Sequence, residues 1–143
     1  MAGFVHILKL CVGAESVEDL LDWQRRNPSA DPDGARRHVT RMWPKRADEV
    51  LAGGSLFWVI RGVILCRQRI LRLDPVEGAD GVRRCGIMMA PELIRTAPVP
   101  RRPFQGWRYL DAEDAPRDLP AGRVSDSALP EEMALALAAI GLM

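Results

Sequence analysis

The sequence predicts an α+β fold: a mixed, largely antiparallel sheet curled toward a partial barrel, with about three helices beside it. Three observations carry that expectation. From Ser55 to Leu73 two apolar runs flank Arg61-Gly62, which reads as a central strand pair joined by a tight turn. Helix-start signals stand at Ser16, Pro44 and Pro130. Between these elements, short apolar runs alternate with Pro- and Gly-rich connections, a pattern suited to strands in one sheet.

Phe4 to Val12 (FVHILKLCV) is rich in Val, Ile and Leu and alternates only loosely, so it reads as a mostly buried first strand. Ser16 then opens a helix to Asn27, with Asp19 at the third capping-box position and Val17, Leu20, Leu21 and Gln24 at helical spacing. PSADPDGA, from Pro28 to Ala35, is a loop. His38 to Met42 makes a short strand, and Pro44 to Ala52 a second helix that Gly53-Gly54 ends.

Ser55 to Ile60 carries large apolar side chains on both faces, which marks a central strand. Val63 to Leu73 returns beside it, and strict period two places Val63, Leu65, Arg67, Arg69, Leu71 and Leu73 on one face. A turn centred on Gly62-Val63 sets Arg67 opposite Trp58; a turn at Arg61-Gly62 sets it opposite Leu56. Asp74 to Gly81 is a turn-rich connection to a strand from Val82 to Met89. The three prolines between Thr96 and Pro103 exclude interior helix and central strand, leaving a surface crossing. Phe104 to Leu110 is a strand or tight turn, Asp111 to Asp126 a loop, and Pro130 to Ile140 a terminal helix.

At 143 residues, with 48% hydrophobic and 27% charged residues, the chain has the length and composition of one soluble domain, spanning residues 1–143. The apolar start is interrupted by His6 and Lys9, unlike a signal peptide, and the run from Met133 to Met143 is too short to cross a bilayer. A cytoplasmic location is expected, with no membrane contact. Cys11, Cys66 and Cys85 stand far apart in apolar runs, which argues against a disulfide framework or a zinc site; no cofactor and no metal is expected.

Net charge is only +1, but it is segregated: Arg36 to Arg72 carries +7 and Arg83 to Arg108 carries +5. If those segments meet in space, they form a surface that attracts phosphates; if acidic segments lie beside them, the charge is neutralised. Three clusters stand out. Arg67 and Arg69, on a sheet face bounded by leucines, must reach water, pair with acids or line an anion-binding cleft. Arg101, Arg102 and Arg108 interleave with Phe104, Trp107 and Tyr109, a pairing that suits stacked bases and phosphates, or a loop anchored in the core. Arg41, Trp43, Lys45 and Arg46 surround the start of the second helix. No nucleophile elbow, phosphate loop, zinc-protease motif or dinucleotide fingerprint occurs.

HILKLCVG, Thr40 to Arg46, GGSLFWVIRG, CRQRIL and RRPFQGWRYL together resemble an uncharacterised alphaproteobacterial family, a domain of unknown function, over about His6 to Asp118. The order of short helix, Gly53-Gly54, central strand, Gly62 and long apolar strand is similar to the opening of PUA-like and ASCH domains, which implies a small barrel binding RNA or nucleotides in a basic cleft. The expected function is a non-enzymatic RNA- or nucleotide-binding module, with Arg41, Lys45, Arg67, Arg69, Arg101, Arg102 and Arg108 on phosphate and Trp43 or Trp107 stacking. The alternatives are an enzyme acting on a small anionic substrate through His38, and an assembly protein, a homodimer included, whose helix from Met133 to Leu142 docks on a partner.

Overall fold

A computed structural model describes residues 3–27, 34–102, 104 and 106–123. Its elements are β1 (Val5–Leu10), α1 (Val17–Arg26), β2 (Arg36–Thr40), α2 (Ala47–Leu51), β3 (Ser55–Ile60), β4 (Val63–Glu77), β5 (Arg83–Met89), β6 (Ile94–Pro100), β7 (Trp107–Asp111) and β8 (Asp118–Arg123), with a 3-10 turn at Ala112–Asp114. Strands take about half of the described residues, the eight-stranded sheet does not close, and two α-helices are present among them. The α+β expectation, with its partial barrel and about three helices, is therefore corrected to a mainly β fold built on one open sheet. The expected helix from Pro130 to Ile140 lies outside the described residues.

Part of the excess of strand comes from residues that carry turn formers. β4 runs past Leu73 to Glu77, through Asp74 and Pro75, because β5 pairs with it from Ile70↔Met89 to Glu77↔Arg83. β6 then follows β5 along β4, from Arg67↔Ile94 to Val63↔Pro100, and β8 pairs with β6. The prolines of β6 thus sit inside a strand, against expectation. The ladder with β4 is broken between Ile64↔Val99 and Cys66↔Arg95, so Pro98 falls in an irregularity where a missing N–H costs little. Asp111 to Asp126, expected as a loop, holds β8 at Asp118–Arg123.

On the other side of β4 the order is β3, β1, β7, with β1 and β3 parallel and the other pairings antiparallel. Arg61 (φ 53°) and Gly62 (φ 79°) form the tight turn between β3 and β4, the arrangement a two-residue hairpin of primed type requires. Beyond it the register shifts at Trp58/Val59: Val59 faces Ile64 and Trp58 faces Cys66, so Leu65 is an inserted residue. Arg67 consequently faces Phe57, neither Trp58 nor Leu56. Strict period two fails at the same point.

The bulge sorts β4 between two cores. Leu65, Cys66 and Ile70 join Val5, Ile7, Leu56, Trp58 and Ile60 beneath α1, which buries Val17, Leu20 and Gln24 at helical spacing. Leu8, Phe57, Val59, Ile64 and Leu110 fill the second face. Ser16 caps α1 by accepting the Asp19 N–H (3.0 Å), and Glu18 in its first turn takes a 2.5 Å bond from Arg95 of β6, locking helix to sheet. The Tyr109 hydroxyl of β7 accepts the Arg46 N–H (3.0 Å) at the start of α2.

Candidate functional site

Parallel strands end together, and where β1 and β3 end, their carboxyl-terminal residues open a cleft of about 580 Å³ against α1. The sheet contributes a cross-strand row on one face: Lys9 of β1 stands between Trp58 of β3 and Trp107 of β7. Lys9 and Trp58 line the cleft, with Cys11 to Ala14 from the turn after β1, Trp23 and Arg26 from α1, and His38 from β2. The His38 ring meets Trp58 edge to face at 5.2 Å. Trp58 is fixed from below. Its indole N–H donates to Gln68 Oε1 (3.0 Å), which also accepts from Gln24 Nε2 (3.0 Å), while Gln68 Nε2 donates to the Ala90 carbonyl (3.1 Å).

Burial pushes the His38 imidazole down to about 4, aided by the nearby Lys9 ammonium, so it is neutral at pH 7. Its Nε2 is buried and has no hydrogen-bond partner among the described residues. Burial likewise pushes the Cys11 thiol up to about 11, leaving it un-ionised and a poor nucleophile at neutral pH. Lys9 is half-buried and makes no ion pair with any described carboxylate. Chemically the cleft offers aromatic side chains and two cations, Lys9 and Arg26, without an ion-pair partner among the described residues, a set suited to binding. Among the described residues no group of three or more His, Cys, Asp or Glu could hold a metal ion.

A second hollow, shallower and about 360 Å³, is lined by Arg41, Trp43, Arg83 and Arg84. The Arg83 guanidinium lies over the Trp43 ring at 5.9 Å, and Arg84 is held by Asp80 through bonds of 3.1 and 2.8 Å. Arg41 is exposed and has no ion-pair partner among the described residues. β2 separates the two sites, since His38 faces the cleft while Arg37 and Val39 are exposed, the Arg37 stem lying over Gly86 of β5.

Of the residues expected at an anion site, the structure therefore brings Arg41 and Trp43 together and adds Arg83 and Arg84. Lys45 is exposed beyond them at the entry to α2. Arg67 is framework: it forks onto Asp118 of β8 (2.8 and 2.7 Å) and donates to Ser55 Oγ (2.8 Å). Arg69 is exposed on the same face, close enough with Arg67 to help burial push His6 down to about 4. Arg101 and Arg102 are exposed after β6, and Arg108 lies over Phe104 at 5.7 Å. Trp107 packs edge to face on Tyr109 (4.9 Å) and against the main core, as the core-anchor alternative expected for this segment. Cys66 is buried in the core and Asp48 is exposed on α2.

Lys9, Trp23 and Trp58 escape a reading by motif. Lys9 carries the one available signal, a lysine inside an otherwise apolar strand, where an ammonium has to find water, a partner or a ligand. Arg83 and Arg84 lie 42 and 43 residues after Arg41 and meet it only through the β2–β5 pairing, Thr40↔Cys85. No helix among the described residues is long and apolar enough to cross a membrane. Compared with known proteins, the chain matches over residues 7–143 the family described as "Protein of unknown function (DUF1489)". No curated protein and no solved structure gives a match.

Proposed function

The chain belongs to this family of proteins of unknown function, and for it we propose a non-enzymatic module that binds single-stranded RNA on the outward side of β2 and β5. One observation carries the reading: three arginines and an exposed tryptophan from distant parts of the chain line one hollow. Arg41 and Arg83 have guanidinium groups open to phosphate, Arg84 is pre-set by Asp80, and Trp43, 40% exposed, offers a stacking surface. Exposed Val39, Met42 and Val82 extend an apolar surface beside the charges. Bases lying on such a surface leave their phosphates toward arginine, the arrangement of a sequence-tolerant single-strand binder.

Filter binding of an oligouridylate across salt concentrations tests it. With three arginines on phosphate, affinity falls with salt at a log–log slope of about −2. Arg41→Ala and Arg83→Ala each weaken retention, and Trp43→Ala weakens it with little change in slope. Retention that is absent, or indifferent to salt, sinks the reading.

A further inference from the structure

We propose that the cleft at the carboxyl ends of β1 and β3 binds a small ligand of the mononucleotide class, a planar heteroaromatic ring carrying one phosphate group. The site is separate from the RNA surface, for its residues come from the inward side of β2 and from β1, β3 and α1. It stands or falls independently of that reading.

Lys9 supplies the first argument. Lys9 is half-buried and has no carboxylate partner among the described residues, so an anion entering the cleft would supply its counter-ion. Two aspartates also line the cleft, but Asp19 is committed to the helix start, where it accepts the Glu15 N–H at 3.1 Å, and Asp22 is exposed at the rim, one turn from exposed Arg26. Arg26 lines the cleft as well, bonded to the Asp22 carbonyl, and neither it nor Lys9 makes an ion pair with a described carboxylate. A ligand bearing a positive group would meet them unfavourably.

Trp58, Trp23 and His38 supply the second. Trp58, buried at 5% exposure and held by its bond to Gln68, is a rigid part of the wall, so a ligand beside it costs little reorganisation there. Trp23, 53% exposed on α1, costs apolar exposure in the free protein that a ring in the cleft removes. His38 lines the same space and meets Trp58 edge to face, adding a third ring to the wall that a planar ligand would contact. A volume of about 580 Å³ accommodates a ring, a sugar-sized spacer and a phosphate, within the ordinary range of ligand sites. A ring without an anion leaves Lys9 uncompensated, and an anion without a ring leaves the tryptophans and the imidazole unused.

The full chain is titrated with adenosine 5′-monophosphate, and with adenosine and ribose 5-phosphate as its halves, following tryptophan emission and the imidazole resonances of His38. The monophosphate gives saturable quenching and moves the His38 signals, and each half binds at least about tenfold more weakly, the loss expected for one charge-assisted contact or one stacked ring. Lys9→Gln and Trp23→Ala each weaken the monophosphate by about the same factor, with circular dichroism unchanged. Should Lys9→Gln not fold, Trp23→Ala, on the helix surface, carries the test. Loss of nucleotide in Lys9→Gln with RNA retention intact, and the reverse in Arg41→Ala, separates the two sites. Absence of saturation into the millimolar range, equal binding of ribose 5-phosphate, or affinity unmoved by both cleft substitutions overturns the proposal.

Discussion

Replacing Gln68 with leucine should destabilise the protein by about 2 to 4 kcal/mol, although the side chain has similar bulk and points into an apolar core. Gln68 is 0% exposed, and its carboxamide oxygen takes two bonds, from the Trp58 indole and from Gln24, while its nitrogen serves the Ala90 carbonyl. Leucine leaves two buried donors without a partner, at about 1 to 3 kcal/mol each, and the Ala90 oxygen, half-exposed, recovers water. The apolar gain from leucine offsets part of that. Urea denaturation followed by circular dichroism gives the loss. A double-mutant cycle identifies its origin: in a Gln24→Leu background one of the two donors is already gone, so Gln68→Leu should cost about 1 kcal/mol less than in the parent. A loss under about 1 kcal/mol, or strict additivity with Gln24→Leu, would refute the network as the device that seats Trp58.

Three further outcomes follow from the same geometry. Burial first, then the neighbouring cations, hold His6 and His38 at about 4 when folded against 6.5 unfolded, so the unfolded chain binds protons more readily between those values. Stability is complete above about pH 6.5 and falls toward pH 4 by up to about 1.4 kcal/mol per pH unit for each histidine; a urea midpoint that is flat over this window contradicts it. At Gly54 a Cβ would lie inside contact distance of the Val5 carbonyl and 2.6 Å from that of Val50, both backbone, so Gly54→Ala should cost at least about 3 kcal/mol or prevent folding, read as the yield of folded protein and its urea midpoint. Asp118→Ala removes the bidentate partner of Arg67 at a site whose carboxylate is 42% exposed; the loss should be about 1 kcal/mol and shrink in high salt, and a salt-independent loss would point to packing instead.

How far residues alone disclose this fold depends on how local each cause is. The cap at Ser16, the apolar stripe of α1 and the hairpin at Arg61-Gly62 arise from neighbours within a few positions, and all three are legible. The inserted Leu65 is not, because a bulge leaves no mark in an apolar run; it moves Arg67 opposite Phe57 and carries Cys66 into the main core. Pro98 and Pro100 pointed away from a strand because proline cannot serve a regular ladder, yet the ladder here is irregular where Pro98 stands and ends at Pro100. At the anion-site residues the difficulty is the same. Arg67 is a candidate ligand until Asp118, 51 residues on, is known to lie beside it.

The cleft follows from one topological fact, the parallel pairing of β1 with β3. Parallel neighbours need a long crossover, and this one holds α1, β2 and α2, with β2 reaching across the sheet to pair with β5. The crossover therefore delivers two walls to the same place: α1 brings Trp23 over the strand ends, and β2 brings His38 against Trp58. An antiparallel β1–β3 pair would need no crossover and would set the carboxyl end of one strand beside the amino end of the other, so Lys9 and Trp58 would not share a row. Because β2 alternates, the strand that places His38 inward leaves Arg37 exposed outward, with Arg41 exposed just beyond its end beside β5. A shift of one residue in the β2–β5 register would exchange these faces, so the neutral imidazole of the cleft and the guanidinium groups of the outer surface depend on the same five pairings from Arg36↔Met89 to Thr40↔Cys85.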